Sequence, residues 1–146
     1  MIEVGCLQVE DVPMAAALEK ECFAAPWSEK FFMDAVSKEC YLFLSAKKED
    51  EYIGTAGLIL GPAEADVTCV AVKPSYRGKG IALKLMESLI EAAKERKLEK
   101  LFLEVREGNA PARRLYEKVG FVEDGIRKNY YTSPVEHAVL MHKELL

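Results

Sequence analysis

The chain has 146 residues, half of them hydrophobic and 30% charged, which is the makeup of one globular domain spanning 1–146. Its 20 basic and 24 acidic residues leave a net charge of −4, which argues against a nucleic-acid partner and suits a basic peptide or an amine. No apolar stretch approaches the ~20 residues that span a bilayer. The N-terminus has no basic flank followed by an apolar run, so no membrane association and a cytoplasmic location are expected.

Met1 to Gln8 alternates weakly and reads as a first strand. Asp11 can cap a helix running to about Cys22, with Met14, Ala17, Leu18 and Cys22 on one stripe. Pro26 and Trp27 interrupt it. Ser28 then caps a short second helix ending near Ser37, with Trp27 and Phe32 placed as a hydrophobic staple. Tyr41 to Lys47 and Tyr52 to Leu60 are strand-like runs joined by the charged turn Lys48-Glu49-Asp50-Glu51, a hairpin. Asp66 to Val72 is nearly continuous apolar and β-branched sequence, which predicts a central strand buried on both faces. Ala82, Leu85, Met86, Leu89, Ile90 and Ala93 recur with helical spacing. Leu101 to Val105 is another short strand. Asn109 caps a helix with Pro111 in its first turn, and Gly120 ends it. Phe121 to Ile126 and Ala138 to His142 close the chain.

An antiparallel front half followed by a βαβ crossover predicts one mixed α/β sheet with helices on both faces. Cysteines 6, 22, 40 and 69 are widely spaced and form no Cys-x-x-Cys, so no metal is expected. Cys6 and Cys69 lie in apolar runs, where a thiol behaves as a small buried hydrophobe.

The turn from Val70, Ala71 and Val72 into the third helix runs Lys73-Pro74-Ser75-Tyr76-Arg77-Gly78-Lys79-Gly80-Ile81-Ala82-Leu83. Two glycines fall where the helix begins and let backbone approach a ligand. The free N–H groups of the first helical turn, with its dipole, form an anion site. Arg77 and Lys79 add positive charge, so a pyrophosphate suits this turn; the same residues also suit an ordinary strand–helix connection. Neither a Walker A loop nor Gly-x-Gly-x-x-Gly is present.

Arg77-x-x-Gly80-x-Ala82 resembles the pyrophosphate loop of the GNAT acetyltransferase superfamily. The resemblance implies a GNAT-like fold whose central mixed sheet splays open, with acetyl-CoA lying in the gap. Val70, Ala71 and Val72 would pair with its pantetheine arm.

Alternation puts Glu104 and Phe102 on one face of the next strand and Leu101, Leu103 and Val105 on the other. A carboxylate there is expected to be buried, with its pKa raised toward that of a general base; pairing with Arg106 is the structural alternative. Tyr116 shares the inner stripe of the following helix with Ala112, Leu115 and Val119. It suits a core tyrosine, or a phenol that protonates a thiolate.

Leu103 to Phe121, with Pro26-Trp27-Ser28-Glu29 and Asn129-Tyr130-Tyr131 followed by Glu136, is similar to the ribosomal-protein-alanine N-acetyltransferases of bacteria and archaea. That resemblance implies Glu104 as general base, Tyr116 as acid facing the CoA sulfur, and Asn109 on the pantetheine arm. Trp27, Tyr130, Tyr131 and Glu136 would line the acceptor site, holding a protein or peptide N-terminus such as that of a ribosomal protein. Gly108 stands where Ser is common and His137 where Asp is usual, and the loop from Tyr131 to Glu136 is short.

A terminal amine of pKa ~8 is easier to deprotonate than a lysine of ~10.4, by roughly 3 kcal/mol. A single carboxylate base therefore suits it, with direct attack on the thioester and no metal. The competing readings are a small-amine acetyltransferase of the same fold and a non-catalytic CoA-sensing module.

Overall fold

In the computed structural model, which describes residues 1–146, β1 (Ile2–Cys6) leads through a short 3-10 turn into α1 (Val12–Cys22) and α2 (Glu29–Val36). The antiparallel strands β2 (Tyr41–Lys48), β3 (Glu51–Leu60) and β4 (Glu64–Val72) follow, then α3 (Ile81–Glu95), β5 (Lys100–Arg106) and α4 (Ala110–Lys118). The hairpin β6 (Val122–Tyr131) and β7 (Glu136–Glu144) completes one seven-stranded mixed sheet in the order β1-β2-β3-β4-β5-β7-β6. This is the mixed α/β architecture expected from the sequence.

Local signals account for most element boundaries. Ser28 Oγ accepts the Phe31 N–H at 3.1 Å and starts α2, while the Trp27 ring packs on Phe32 with centroids 5.3 Å apart. Asn109 caps α4 by accepting the Ala112 N–H at 3.2 Å, and Gly120 ends that helix with φ 103°. Asp11 flanks α1 but does not cap it; its carboxylate takes Lys47 Nζ at 2.8 Å instead.

Adjacent residues of β2 and β3 divide between two cores, which therefore lie on opposite faces of the sheet. Leu44 and Ile53 join the larger core with Leu85, Leu89, Leu101 and Met141, under α3 and the inner side of α4. Phe43 and Tyr52 join the smaller one with Val12, Ala15, Leu18 and Phe32, under α1 and α2.

Three further expectations change. The buried stripe of α1 is Val12, Ala15, Leu18 and Glu19, whereas Met14 is exposed. Residues 12–18 are apolar all round, so periodicity alone does not choose a face. Cys6 is exposed, because β1 is an edge strand paired only with β2, whereas Cys69 is buried as expected. The start of β4 is covered on one face only, with Glu64 and Asp66 exposed.

The feature that creates the site is the junction of β4 and β5. They pair in parallel only through Glu64↔Lys100, Ala65↔Leu101 and Asp66↔Phe102. Just past that point the β3–β4 register skips Thr68, passing from Leu58↔Val67 to Gly57↔Cys69. Such a bulge bends its strand and increases its twist. A side chain at Gly57 would lie 2.6 Å from the Phe43 ring and 2.7 Å from Thr68 Oγ1, so the bulge and this glycine go together. Beyond the bulge, β4 and β5 have no mutual ladder.

Candidate active site

The seam between β4 and β5 opens into a cleft of about 740 Å³. Val67, Thr68, Cys69 and Val70 form one wall and Leu103, Glu104, Val105 and Arg106 the other. Asn109, Ala112 and Tyr116 from α4, the end of α1 with the α1–α2 loop through Trp27, and residues Tyr130 to Pro134 close its remaining sides. Of the residues singled out from the sequence, Glu104, Tyr116, Asn109, Val70, Trp27, Tyr130 and Tyr131 therefore meet around one opening.

Glu104 is exposed to the cleft, not buried. The expectation assumed a strand covered on both faces, and the parting of β5 from β4 uncovers this one. Arg106 does not pair with Glu104. Its guanidinium donates to Glu136 Oε1 at 3.1 Å and to the backbone oxygens of Thr132 and Pro134, each at 2.9 Å. It also lies over the Tyr131 ring, 4.5 Å from the centroid.

Tyr116 is 9% exposed, and its hydroxyl has no hydrogen-bond partner in the protein. Burial, with the neighbouring Cys69 and Tyr131, raises its pKa well above the ordinary phenol value. Such a phenol stays protonated and presents an O–H to whatever occupies the cleft. Tyr131 is pushed up to about 12, by burial first and then by the negative charge of Glu104. Tyr130 meets Tyr131 edge-on at 5.1 Å.

Glu136 does not line the cleft. Its Oε2 accepts the Gly108 N–H at 2.7 Å, and this bond, with Arg106, holds its carboxyl below the ordinary range. A side chain at position 108 would meet that oxygen at 2.8 Å, so glycine there leaves room for the contact. His137 Nδ1 accepts the Asn129 N–H at 3.0 Å and braces the same hairpin. Trp27 stands in an aromatic cluster with Phe31, Tyr41 and Phe43 at 4.3–6.0 Å between centroids.

The glycine turn lies past the C-terminal end of β4, and Arg77 to Leu83 do not form the cleft walls. Gly78 and Gly80 both have left-handed φ, 78° and 79°, and Gly80 is the N-cap of α3. Open space surrounds each, so the glycines serve the backbone conformation. Neither backbone nor side chains accept the N–H groups of Gly78, Lys79, Gly80, Ile81, Ala82 and Leu83. Glu51 anchors the foot of the turn through Lys73 Nζ at 2.8 Å and the Tyr76 hydroxyl at 2.6 Å. Lys79 Nζ sits over the Tyr76 ring at 5.2 Å. The Arg77 guanidinium points back toward Val72 O at 3.3 Å and Cys22 Sγ at 3.5 Å. Six unaccepted donors at a helix N-terminus fit a diphosphate. The unpaired edge of β4 leads from them toward Glu104 and Tyr116, as an extended amide-bearing arm requires.

Glu19 escaped the sequence reading. It is 3% exposed, lines the cleft, and has its pKa raised to about 7 by burial, partly offset by a 3.5 Å bond from the Trp27 N–H to Oε1. Its spacing from Val12 and Ala15 was the available signal, once the correct stripe of α1 is known.

Residues 12–121 match the acetyltransferase (GNAT) family. A ribosomal protein bS18-alanine N-acetyltransferase of Haemophilus influenzae is 39% identical over 127 residues, covering 85% of this chain and 86% of that protein. One of Salmonella typhimurium is 36% identical over 143 residues, covering 97% and 96%. The crystal structure of the ribosomal-protein-S18-alanine N-acetyltransferase from Escherichia coli superposes with a TM-score of 0.91 at 35% identity, over 99% of this chain and 94% of that one.

Proposed function

The chain belongs to the GNAT acetyltransferase family, and from that premise we propose that it acetylates the N-terminal α-amine of a ribosomal protein, with alanine as first residue, in the cytoplasm. The whole chain acts as one catalytic domain. The observation that carries the reading is that Glu104 and the unpartnered hydroxyl of Tyr116 line one cleft at the opening of the β4–β5 seam. The names of the bacterial relatives, which match over nearly the full chain, favour the protein acceptor over a small amine.

Acetyl-CoA supplies the activated acetyl group. Gly78 to Leu83 receive its diphosphate on their free N–H groups, with Arg77 at the entry of the turn and Lys79 adding charge. Val70, Ala71 and Val72 offer β4 backbone to the pantetheine arm, and the Asn109 amide nitrogen, left free by its capping bond, donates from the other side. Glu104 takes the proton from the incoming ammonium. A backbone N–H of β4 steadies the carbonyl oxygen as negative charge grows there. A nitrogen–carbon bond forms and the carbon–sulfur bond breaks. Tyr116 hands its proton to the departing sulfur, which its burial-raised pKa equips it to hold until that moment. Trp27, Tyr130 and Tyr131 form the acceptor walls, and Glu136 acts there through Gly108 and Arg106.

The test is a panel of acetyl-CoA with alanine-initiated peptides, lysine peptides and small amines. Acetylation of the alanine peptide is expected, and acetylation of small amines alone overturns the peptide reading. E104Q and Y116F are each expected to lose about 100-fold or more in kcat while binding CoA within about twofold of wild type. Full turnover by either variant removes its catalytic role.

A further inference from the structure

Glu19 is a titratable group whose Oε1 takes the Trp27 N–H and whose other oxygen neither the fold nor the chemistry above uses. Its Oε2 is the one buried side-chain nitrogen or oxygen in the chain without a hydrogen-bond partner. A buried acceptor left unpaired is costly, and a protein retains one where something else completes it. The residue lines the same cleft as Glu104 and Tyr116, from the α1 side.

Charge points to the same ligand. Among the cleft residues, Arg106 is already neutralised by Glu136, whereas Glu19 and Glu104 have no ion-pair partner. The cleft is therefore short of a cation. The groups facing Glu19 do not supply one. They are the thiols of Cys22 on its own helix and Cys69 on β4, and Arg77, which reaches that Cys22 thiol, is engaged with it and with Val72 O. Phe23, Ala24 and Ala25 border the same cleft and are exposed, and Trp27, just beyond them, reaches Glu19 only through the long 3.5 Å bond to Oε1.

We propose that Glu19 Oε2 binds the ammonium group of the acceptor, so that the amine enters the cleft as a cation held by Glu19 before Glu104 takes its proton. This rests on the acceptor reading above and deepens it. The site selects a charged amino group, and it releases the product because the acetylated nitrogen carries no charge.

The experiment measures, by calorimetry with CoA present, binding of a short alanine-initiated peptide with a free N-terminus and of the same peptide N-acetylated. Wild type is expected to prefer the free form by about tenfold at pH 8. In Glu19→Gln, and in the apolar Glu19→Leu should the first misfold, that ratio is expected to fall toward one, with CoA affinity within about twofold of wild type. A purely structural carboxyl would leave the ratio unchanged. An unchanged ratio in a folded variant overturns the proposal. Failure of wild type to acetylate any peptide overturns the acceptor reading instead, and the ratio is then measured with an accepted small amine and its acetylated form.

Discussion

Ionising Glu19 is harder in the folded chain than in the unfolded one, because burial lifts its pKa from an ordinary 4.5 to about 7. A folded state that holds a proton more tightly is stabilised where that proton is bound. The contribution is complete below pH 4.5, fades between there and 7, and is absent above. The 2.5-unit difference sets a ceiling of about 3 kcal/mol, lowered by whatever water the cleft admits. Glu19→Gln is therefore expected to be more stable than wild type at pH 8, by up to about that much, with the gap closing below pH 5. Paired denaturant titrations at the two pH values check it. A carboxyl that costs stability at working pH is what a residue kept for binding looks like. At this scale the sequence was only partly informative. Tyr116 lay on an inner stripe and was found there. Glu104 was expected to be buried and is exposed, because its environment depends on where another strand stops pairing. Glu19 was overlooked, because an apolar run around the whole circumference of α1 hides which face is inward.

Elements whose ends are set by neighbouring residues were legible. Ser28 with its Trp27–Phe32 staple, and Asn109 with Pro111 and Gly120, bracket helices within a residue or two of where they lie. The parting of β4 from β5 was not legible in the residue pattern. Leu101 to Val105 alternates as a fully paired strand would, and only the resemblance to a known family implied an opening. The glycine turn lies between these cases, since its residues announced a left-handed backbone and its ligand is set by what remains unpaired. Gly80→Ala places a side chain in open space but at φ 79°, where a Cβ costs about 1–2 kcal/mol. The variant is expected to lose about that much stability and to bind CoA more weakly, because relieving the strain moves the Ile81 and Ala82 N–H groups. A melt and a CoA titration on the same sample separate the two effects.

Seen whole, the molecule is two strand groups, β1–β4 and β5–β7, joined within the sheet by three residue pairs and otherwise by the core beneath α3. A ligand lying in the seam contacts both groups and binds only the folded chain. Saturation to 100 times Kd is expected to add about 2.7 kcal/mol of stability. Hydrogen exchange is expected to locate the gain at Val67–Val72 and Leu103–Arg106, with the outer hairpins little changed. Uniform protection across the sheet would place the ligand elsewhere.

That seam also relocates the molecule's exposure to misassociation. Of the sheet's two outer margins, β6 carries Glu123, Asp124, Arg127 and Lys128, charges that discourage a stranger from pairing alongside. The interior margins of β4 and β5, past Asp66 and Phe102, face no partner strand. An extended segment of another chain would meet there the same open edges that the proposed function offers to the pantetheine arm. A coenzyme bound as proposed would thus act as a chaperone of sorts for its own enzyme, and purification without it would leave those two margins open.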